Sequence, residues 1–331
     1  RMQQPWLGNN LKDDDEKDES VDTLLLDVSF MAHRHAHAMG QRLQTSDGRM
    51  VGHIFGAFKQ IKSFIGTFHP RRLAFVYDRG CPWRRALVPS YKQSRRPPDG
   101  APKQWSPGPE VERLLRSFPG YHLSLDDFEA DDMACWFTRH APLDVKGSIL
   151  IYSGDRDLWA LVDDKAKIAA LVTKKPKGPR AKSKNIWVRE EMVKEEFGVS
   201  PRALAKLKAL LGDASDEIHG LRGAIRPGKK DVLRGFAEDE LSDIYFDAYQ
   251  NNITKDHLPV PEPFQDALMA ERQDMLNNFR VVNLDLAQIP VGSNPLKVET
   301  GNVAGALDTL VEFECESLLA QVEPLFKELM R

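Results

Sequence analysis

Seven acidic side chains stand where a parallel sheet and its helices could bring them together, and such a cluster has a chemical meaning. They are Asp27, Asp78, Glu129, Asp131, Asp132, Asp155 and Asp157; a further pair, Asp213 and Asp216, follows a helix in the second half of the chain and is equally typical of helix caps. Packed together without a cation, carboxylates repel one another and some of them take up protons. Mg²⁺ and Mn²⁺ prefer carboxylate and water oxygens, so they would remove this conflict. A cluster of this size predicts two metal ions, roughly 3.5–4 Å apart, that clamp an in-line displacement at phosphorus.

The stretch DDFEADDMACW, residues 126–136, mixes acids with residues that favour burial. Glu129 and Asp132 are three residues apart, so they share one face of a helix. Acids are also favoured in the first turn of a helix by the helix dipole. Apolar neighbours such as Phe128 and Trp136 would hold this helix against the core. The stretch therefore predicts a helix that packs inward and carries acids at its first turn.

Three short apolar runs end close to acids, as the buried strands of a parallel sheet would. The runs are VDTLLLDVS at 21–29, RRLAFVYDRG at 71–80 and KGSILIYSGDRD at 146–157, and shorter strands are expected at 122–125 and 167–175. Ligands bind at the carboxyl ends of parallel strands, where Asp27, Asp78 and Asp155 would meet. Each acid alone is also typical of a turn or a helix N-cap, so the prediction depends on their joint position.

The apolar spacing becomes helical from about residue 190. Helices are expected at 190–197, 200–211, 228–236, 238–251, 261–278 and 303–329. The alternation of strands and helices before that point predicts an α/β class, with a mostly parallel twisted sheet and flanking helices. We therefore expect a flexible acidic tail at 1–20, an α/β domain at 21–190 and a helical domain at 191–331 that ends in a C-terminal helix.

The formal net charge of -3 hides a strong segregation of charge along the chain. Residues 79–103 carry seven basic side chains and one acid, and residues 174–184 carry six basic side chains and no acid. Trp83, Tyr91 and Trp105 accompany the first run. Basic residues interleaved with aromatic ones suit a phosphate backbone and its bases, so the first run predicts contact with a polyanion. The second run is typical of a solvated loop.

Composition excludes several classes of protein. No segment approaches the roughly 20 apolar residues that cross a bilayer. The first twenty residues lack the apolar centre of a signal peptide. The three cysteines, Cys81, Cys135 and Cys315, are odd in number and widely spaced, which indicates a reducing compartment without disulfides or a zinc knuckle. We expect a cytoplasmic protein, located in the host cytoplasm if a phage encodes it, without membrane association.

Six motifs, in order along the chain, resemble those of the structure-specific 5′-nuclease (flap endonuclease) family. This family includes phage 5′-exonucleases, the phage T4-type ribonuclease H and the 5′-nuclease domain of bacterial DNA polymerase I. The motifs are LLLDVSFMAHR, FVYDRG, WRRALVPSYKQSRR, FEADDMA, SGDRDLWALV and LLGDASDEIHG. The resemblance extends over residues 21–285. The WRR…YK…R stretch resembles the phage members most, and the resemblance implies a stand-alone nuclease of the phage type.

The resemblance implies metal-dependent hydrolysis of phosphodiesters at the 5′ ends of duplex, flap or RNA-primer substrates, in DNA replication or repair. It implies a PIN-like nuclease domain at 21–190, an arch segment at about 80–110 and a duplex-binding helical domain with a helix-hairpin-helix-like motif. One Mg²⁺ or Mn²⁺ would be held by Asp27, Asp78, Glu129 and Asp131, and the second by Asp132, Asp155, Asp157, Asp213 and Asp216.

The resemblance also assigns roles to basic and aromatic residues. Lys92 and Arg34 would stabilise the phosphate as fixed cations. Nucleic-acid contacts are implied for Arg84, Arg85, Tyr91, Arg95, Arg96, Gly220, Gly223, Gly228, Lys229 and Lys230. Trp83, Tyr91 or Trp105 would be available to stack on the bases of a single strand.

The chain departs from the family pattern at two places. Glu217 stands where the family usually has Asn. GLRGAIRPGKKDVL, residues 220–233, replaces the usual hairpin G-V-x-G-I-G-x-K-T-A and inserts Arg226–Pro227, so the potassium site of that hairpin is not predicted here. The histidines of MAHRHAHAMG are expected in a helix as surface or phosphate contacts, at His33, His35 and His37.

Two other functions share part of this pattern. A PIN-type ribonuclease acting on single-stranded RNA would have the sheet and the acids but neither the arch nor the helical half. A non-catalytic nucleic-acid binding module would explain the basic stretches but not the nine acids. Expected partners are DNA and RNA–DNA duplexes with 5′ ends or flaps. A sliding clamp or a single-strand-binding protein is a further candidate; QQPWLG at 3–8 could dock a clamp, but it is more typical of a disordered end. The protein is expected to be a monomer.

Overall fold

The computed structural model describes residues 21–39, 42–96, 105–174, 184–222, 229–247 and 253–330. Its strands are β1 (Thr23–Asp27), β2 (Arg72–Val76), β3 (Gly120–Leu123), β4 (Ile149–Tyr152), β5 (Ile168–Lys174), β6 (Lys184–Val188), β7 (Gly212–Asp213), β8 (Ile218–His219) and β9 (Leu296–Glu299). Its α-helices are α1 (Val28–Met39), α2 (Gly52–Phe68), α3 (Pro82–Leu87), α4 (Gly108–Leu115), α5 (Ala130–His140), α6 (Glu190–Phe197), α7 (Pro201–Leu211), α8 (Lys229–Glu238), α9 (Glu240–Phe246), α10 (Glu262–Ala270), α11 (Arg272–Val282), α12 (Val303–Glu312) and α13 (Glu316–Leu329).

Seven strands form one mixed sheet in the order β6-β5-β4-β1-β2-β3-β9. The neighbouring pairs from β5 to β3 are parallel, and the two edge strands, β6 and β9, are antiparallel to their neighbours. All five residues of the central strand β1 are buried. A strand covered on both faces needs a continuous apolar run, and the sequence TLLLD supplies one. The β1–β2 register places Asp27 beside Val76, so both strands end at the same edge.

The observed elements confirm the α/β class and the mostly parallel sheet that the sequence predicts. The expected strands at 21–29, 71–80, 122–125, 146–157 and 167–175 correspond to β1 to β5. The expected single helix at 261–278 is wrong, because Glu271 separates α10 from α11. The expected helix at 303–329 is also interrupted, by a turn in which Glu314 has a φ of 51°.

The described residues include two large groups of buried apolar side chains. The first contains the β1 to β5 face that α1, α2, α4, α12 and α13 cover, including Phe58, Phe118 and Phe326. The second joins α7, α8, α9 and α11 through residues such as Leu207 and Phe236. The last two helices thus pack on the sheet, together with β9, which pairs with β3. The division at residue 190 into a nuclease domain and a helical domain stays a prediction.

Several predictions fall on residues outside the described part of the chain. These are the acidic tail with its clamp-docking sequence, most of the basic loop after β5, and the hairpin glycines Gly223 and Gly228. The middle of the arch segment, at 97–104, also lies outside. Within the described residues, no helix combines the length and the apolar character that a membrane span requires.

Candidate active site

A cavity of about 880 Å³ lies where the carboxyl ends of β1, β2 and β4 meet the first turn of α5 and the hairpin β7–β8. Eight of the nine predicted acids line it: Asp27, Asp78, Glu129, Asp131, Asp155, Asp157, Asp213 and Asp216. The sheet brings together the acids that follow three of its strands, as the sequence predicts. The helical half contributes the last two from the hairpin. The cavity therefore receives acids from residues almost 190 positions apart in the chain.

Asp27, the last residue of β1, is buried at the floor of this cavity. One of its carboxylate oxygens accepts the backbone N–H of Phe30 at 2.9 Å, and the other accepts the Ser153 hydroxyl at 2.8 Å. Burial raises the pKa of Asp27 to about 6, although both hydrogen bonds lower it. Ser153, which follows β4, thus fixes the orientation of Asp27 on the neighbouring strand β1.

Asp131 and Asp78 lie on the wall of the cavity. Burial raises the pKa of Asp131 well above its usual value, and the charges of Asp155 and Asp27 raise it further. Desolvation also raises the pKa of Asp78, against a hydrogen bond from the Gly80 backbone N–H at 2.9 Å. Both shifts favour the protonated carboxyl, and desolvation is the largest cause of each.

Lys208 on α7 reaches into the cavity from the helical half. Its ammonium group forms ion pairs with Asp157 and with Asp213, the latter at 2.9 Å. Burial lowers the pKa of Lys208, but these two carboxylates outweigh it and raise the pKa above its usual value. None of the sequence motifs indicated a role for Lys208. The sequence feature that could have indicated Lys208 is its position five residues before Asp213, at the otherwise apolar end of α7.

Lys92 occupies the opposite side of the cavity. Its ammonium group donates to Glu129 Oε1 at 2.8 Å and lies 3.7 Å from Asp216 Oδ2. Burial lowers the pKa of Lys92, but the two carboxylates raise it overall. Its backbone has a φ of 49°, in the left-handed region that residues other than glycine rarely adopt. Lys92 of the predicted tyrosine–lysine pair thus contacts two of the cavity acids.

Asp132 does not line the cavity, which corrects its predicted role as a metal ligand. Arg84 donates to both of its oxygens, at 2.7 and 2.6 Å, and Asp132 Oδ2 also accepts the backbone N–H of Glu129 at 2.9 Å. Its side chain is fully buried. Asp132 and Glu129 form a reciprocal capping box at the start of α5, so Asp132 holds the helix end that carries Glu129.

Arg84 and Tyr91 are buried, which corrects their predicted contacts with nucleic acid. Arg84 is 1% exposed and also donates to Glu129 at 3.0 Å and to the Val281 carbonyl at 2.8 Å. Tyr91 is 4% exposed, and its hydroxyl donates to Glu129 at 2.8 Å. Tyr91 is therefore also not available for base stacking. Both residues support Glu129 from the side opposite the cavity.

The other predicted contact residues remain accessible or partly so. Arg85 is exposed, and Arg96 is exposed and donates to the carbonyls of Pro89 and Tyr91. Arg95 lines the cavity and pairs with Asp216 at 3.1 Å. Lys230 is exposed, and Lys229 begins α8. Gly220 follows β8 and packs against the start of β7, where an added Cβ would lie 2.2 Å from the Leu211 carbonyl carbon.

Residues of α1 lie at one side of the cavity. His33 is exposed and lines it, whereas Arg34 is half-buried and donates to the Tyr152 hydroxyl at 2.8 Å. His35 is buried against Gly56, so the prediction that it is a surface contact is wrong. Arg34 contacts none of the cavity acids through a hydrogen bond or ion pair in the described part of the chain.

The donor set fits hard divalent cations, although its oxygens are not gathered into ligand shells. Among the described residues, no three acidic, histidine or cysteine side chains converge closely enough to hold one ion. Four of the cavity acids are instead paired with Lys92 and Lys208, and four others have no cationic partner in the described residues. All the acids offer oxygen, which Mg²⁺ and Mn²⁺ prefer to nitrogen or sulfur.

The chain is similar to known proteins along most of its length. Residues 22–198 match the family model described as 5′-3′ exonuclease, N-terminal resolvase-like domain. A protein named 5′-3′ exonuclease from Aquifex aeolicus is 26% identical over 309 residues, covering 92% of this chain and 96% of that protein. A 5′-3′ exonuclease from Streptomyces coelicolor is 30% identical over 226 residues, covering 65% of this chain and 71% of that protein.

The fold is similar to that of a solved phage enzyme. The bacteriophage T5 D15 flap endonuclease, crystallised with DNA and metal ions, matches with a TM-score of 0.55 and 17% sequence identity. The match covers 93% of this chain and 98% of the phage protein. It therefore extends through the sheet and the helices that follow it, and at this identity it supports the fold alone.

Proposed function

Because the chain belongs to the 5′-3′ exonuclease family, we propose that it hydrolyses phosphodiesters at 5′ ends and 5′ flaps with divalent metal ions held by the acidic cavity. The observation that carries this proposal is the convergence of eight acids and two lysines on one cavity at the carboxyl edge of the sheet. Relatives of this chain are named 5′-3′ exonucleases, and the T5 enzyme was crystallised with DNA and metal ions. Mg²⁺ or Mn²⁺ is the proposed cofactor.

The residues that would hold the ions are the eight acids of the cavity wall. Asp27, Asp78, Glu129 and Asp131 would provide oxygens on the sheet side, and Asp155, Asp157, Asp213 and Asp216 on the side of the hairpin. When bound, divalent ions lower the pKa of the attacking water and neutralise charge that develops on the phosphate. Two ions would suit a cavity with this many carboxylates.

The two lysines would exchange partners when substrate and cations enter. In the present arrangement, Lys92 stabilises Glu129 and Asp216, and Lys208 stabilises Asp157 and Asp213. Divalent cations bound at these acids would leave both ammonium groups available to contact phosphate oxygens. A cation positioned at the site would stabilise the negative charge that develops on the phosphate. Arg34 would contribute more distantly, because Tyr152 holds its guanidinium group beside the cavity.

Ser153 and Arg84 would keep the acids in place during catalysis. Ser153 donates to Asp27, and Arg84 donates to Glu129 from the buried side, so each acid retains one fixed hydrogen bond. Nucleic acid would approach from the open side, where Arg85, Arg95 and Arg96 lie at the base of the arch segment. Arg95 is the nearest of these to the acids, through Asp216.

A substrate panel tests this proposal. We expect Mg²⁺-dependent cleavage of a 5′-end-labelled flap, a nicked duplex and an RNA–DNA hybrid, and no cleavage with chelator. Asp155→Asn keeps the hydrogen bond from the Asp157 backbone N–H but removes a charge, so it should reduce turnover by about 100-fold or more while binding persists. Preference for plain single-stranded RNA, or full activity of this variant, would contradict the proposal.

A further inference from the structure

The turn of the β7–β8 hairpin holds a glutamate in an unfavourable backbone conformation. Glu217 has a φ of 59°, in the left-handed region that long side chains rarely adopt. Such a conformation persists only where surrounding contacts fix it, and it is found preferentially at functional sites. Those contacts come from the segment 90–96, which follows α3 and is far away in sequence.

Glu217 is bonded to this segment through both its side chain and its backbone. Its Oε1 accepts the Ser94 backbone N–H at 2.8 Å and also the Ser94 hydroxyl. Its backbone carbonyl accepts the Ser90 hydroxyl at 2.7 Å. A carboxylate that accepts two donors from one residue forms a short, directional and charge-assisted contact. Ser90 and Ser94 are therefore held at two points of the same turn.

Further hydrogen bonds continue this contact toward the cavity. The Lys92 backbone N–H donates to the Asp216 carbonyl at 2.9 Å. Arg95 donates to the Ser215 carbonyl at 2.8 Å and to Asp216 Oδ1 at 3.1 Å. Lys92 lies between the two serines in the chain, and its own φ is 49°. The position of its ammonium group thus depends on how the segment sits on the hairpin.

We propose that Glu217 is a positioning residue, which holds the segment 90–96 on the hairpin and so fixes the Lys92 ammonium group at the acidic cavity. The proposal rests on the proposed nuclease function, since Lys92 acts there on the phosphate. Whether Glu217 holds the segment 90–96 on the hairpin can be tested without measuring catalysis. Without the carboxylate, the segment would separate from the hairpin and Lys92 would lose its fixed approach.

Asparagine is the informative replacement for Glu217. Asn adopts the left-handed region more easily than Glu, so Glu217→Asn relieves the backbone of the turn. Its side chain is one methylene shorter, so it cannot reach Ser94 without moving the segment. Glu217→Asn should therefore keep or raise the melting temperature, while it loosens the contact between the segment 90–96 and the hairpin. Glu217→Gln keeps the length and an acceptor oxygen, and it serves as the conservative variant.

The chain contains a matched control at Glu314. This residue also has a positive φ, of 51°, and its carboxylate accepts the Ser46 backbone N–H at 2.7 Å and the Ser46 hydroxyl at 2.6 Å. It lies in the turn between α12 and α13 and does not line the cavity. Glu314→Asn therefore repeats the same chemical change away from the site.

Hydrogen exchange of the full-length, metal-free protein tests the structural claim. We expect amides in the segment 90–96 to exchange about tenfold faster in Glu217→Asn, with a melting temperature equal to or above that of the wild type. Glu217→Gln should recover most of the protection. Glu314→Asn should speed exchange only around residues 42–50. Unchanged exchange of the segment in Glu217→Asn would overturn the proposal.

Steady-state cleavage of a 5′ flap tests the positioning role. Glu217→Asn should lower kcat by about tenfold with KM within about twofold, because catalysis needs a fixed Lys92 ammonium group, whereas the exposed Arg85 lies outside the segment and still binds the substrate. Glu217→Gln should restore kcat, and Glu314→Asn should leave it unchanged. Faster exchange with an unchanged kcat would overturn the role for Lys92. If the wild type does not cleave at all, the nuclease proposal fails, while the exchange data still decide whether Glu217 holds the segment.

Discussion

The Arg84–Asp132 pair offers a quantitative test, because sequence and structure assign it different roles. A nucleic-acid contact and a metal ligand would both be accessible, whereas the structure buries Arg84 to 1% exposure and the Asp132 side chain completely. Removing one partner of a buried ion pair leaves an uncompensated charge and costs about 3–5 kcal/mol. We therefore expect Arg84→Met to lower the free energy of unfolding by about that amount.

The double variant Arg84→Met/Asp132→Leu removes both charges at once. It still leaves the Val281 carbonyl and the Glu129 backbone N–H without these partners, which costs about 1–3 kcal/mol each. Its total loss should therefore resemble that of one single variant and fall well below the sum of the two. Urea unfolding of all four proteins in metal-free buffer gives this coupling energy directly.

Arg85→Met is the matched control, because Arg85 is the exposed neighbour on the same short helix. It should change the free energy of unfolding by no more than about 0.5 kcal/mol but weaken DNA binding in a salt-dependent manner. If the double variant lost as much free energy of unfolding as the two single variants together, Arg84 and Asp132 would not form a buried ion pair. A stable Arg84→Met protein with weakened DNA binding would restore the nucleic-acid role that the sequence suggested.

Three further predictions concern the lysines and the thiols. Lys92→Ala should lower the turnover of a 5′ flap by about 100-fold with little change in affinity, measured by single-turnover cleavage and filter binding, and a loss of affinity alone would contradict its role. Lys208→Ala leaves Asp157 and Asp213 without their cation, so the metal-free variant should unfold at a lower urea concentration than the wild type. Adding Mg²⁺ should then stabilise the variant more than it stabilises the wild type. Equal stabilisation of both proteins by Mg²⁺ would argue against this pairing. Burial raises the pKa of Cys81 and of Cys315 to about 11, so both buried thiols should resist a thiol reagent at pH 8 and react only as the pH approaches 11 or the chain unfolds; rapid labelling at pH 8 would refute this.

Local patterns were sufficient to predict the part of the fold that forms the site. The buried parallel strands β1, β2 and β4 appear as short apolar runs followed by acids, and the general geometry of parallel sheets then brings those acids together. The edge strands β6 and β9 were not predicted. Most of β9 is exposed, and it pairs antiparallel with β3, more than 170 residues earlier, so no local signal marks it.

The roles of individual side chains depended on contacts that spacing does not contain. Asp131 and Asp132 are adjacent in the same motif, yet one lines the cavity and the other turns inward to Arg84. A helix places neighbouring residues about 100° apart, so only the packing of α5 decides which acid faces the site. Lys208 was missed for a related reason, since one of its two partners, Asp157, lies in the other half of the chain.

The fit of the acidic cavity to divalent cations is tested most directly by titrating Mn²⁺ into the metal-free protein and measuring the free ion by electron paramagnetic resonance. Burial, and then the charges of Asp155 and Asp27, raise the pKa of Asp131, so a cation bound beside this carboxylate would relieve both and its neutral variant should lose affinity. We predict saturable binding of Mn²⁺ to the wild type and at least about tenfold weaker binding to Asp131→Asn. Absence of saturable binding, or equal binding by both proteins, would contradict this prediction.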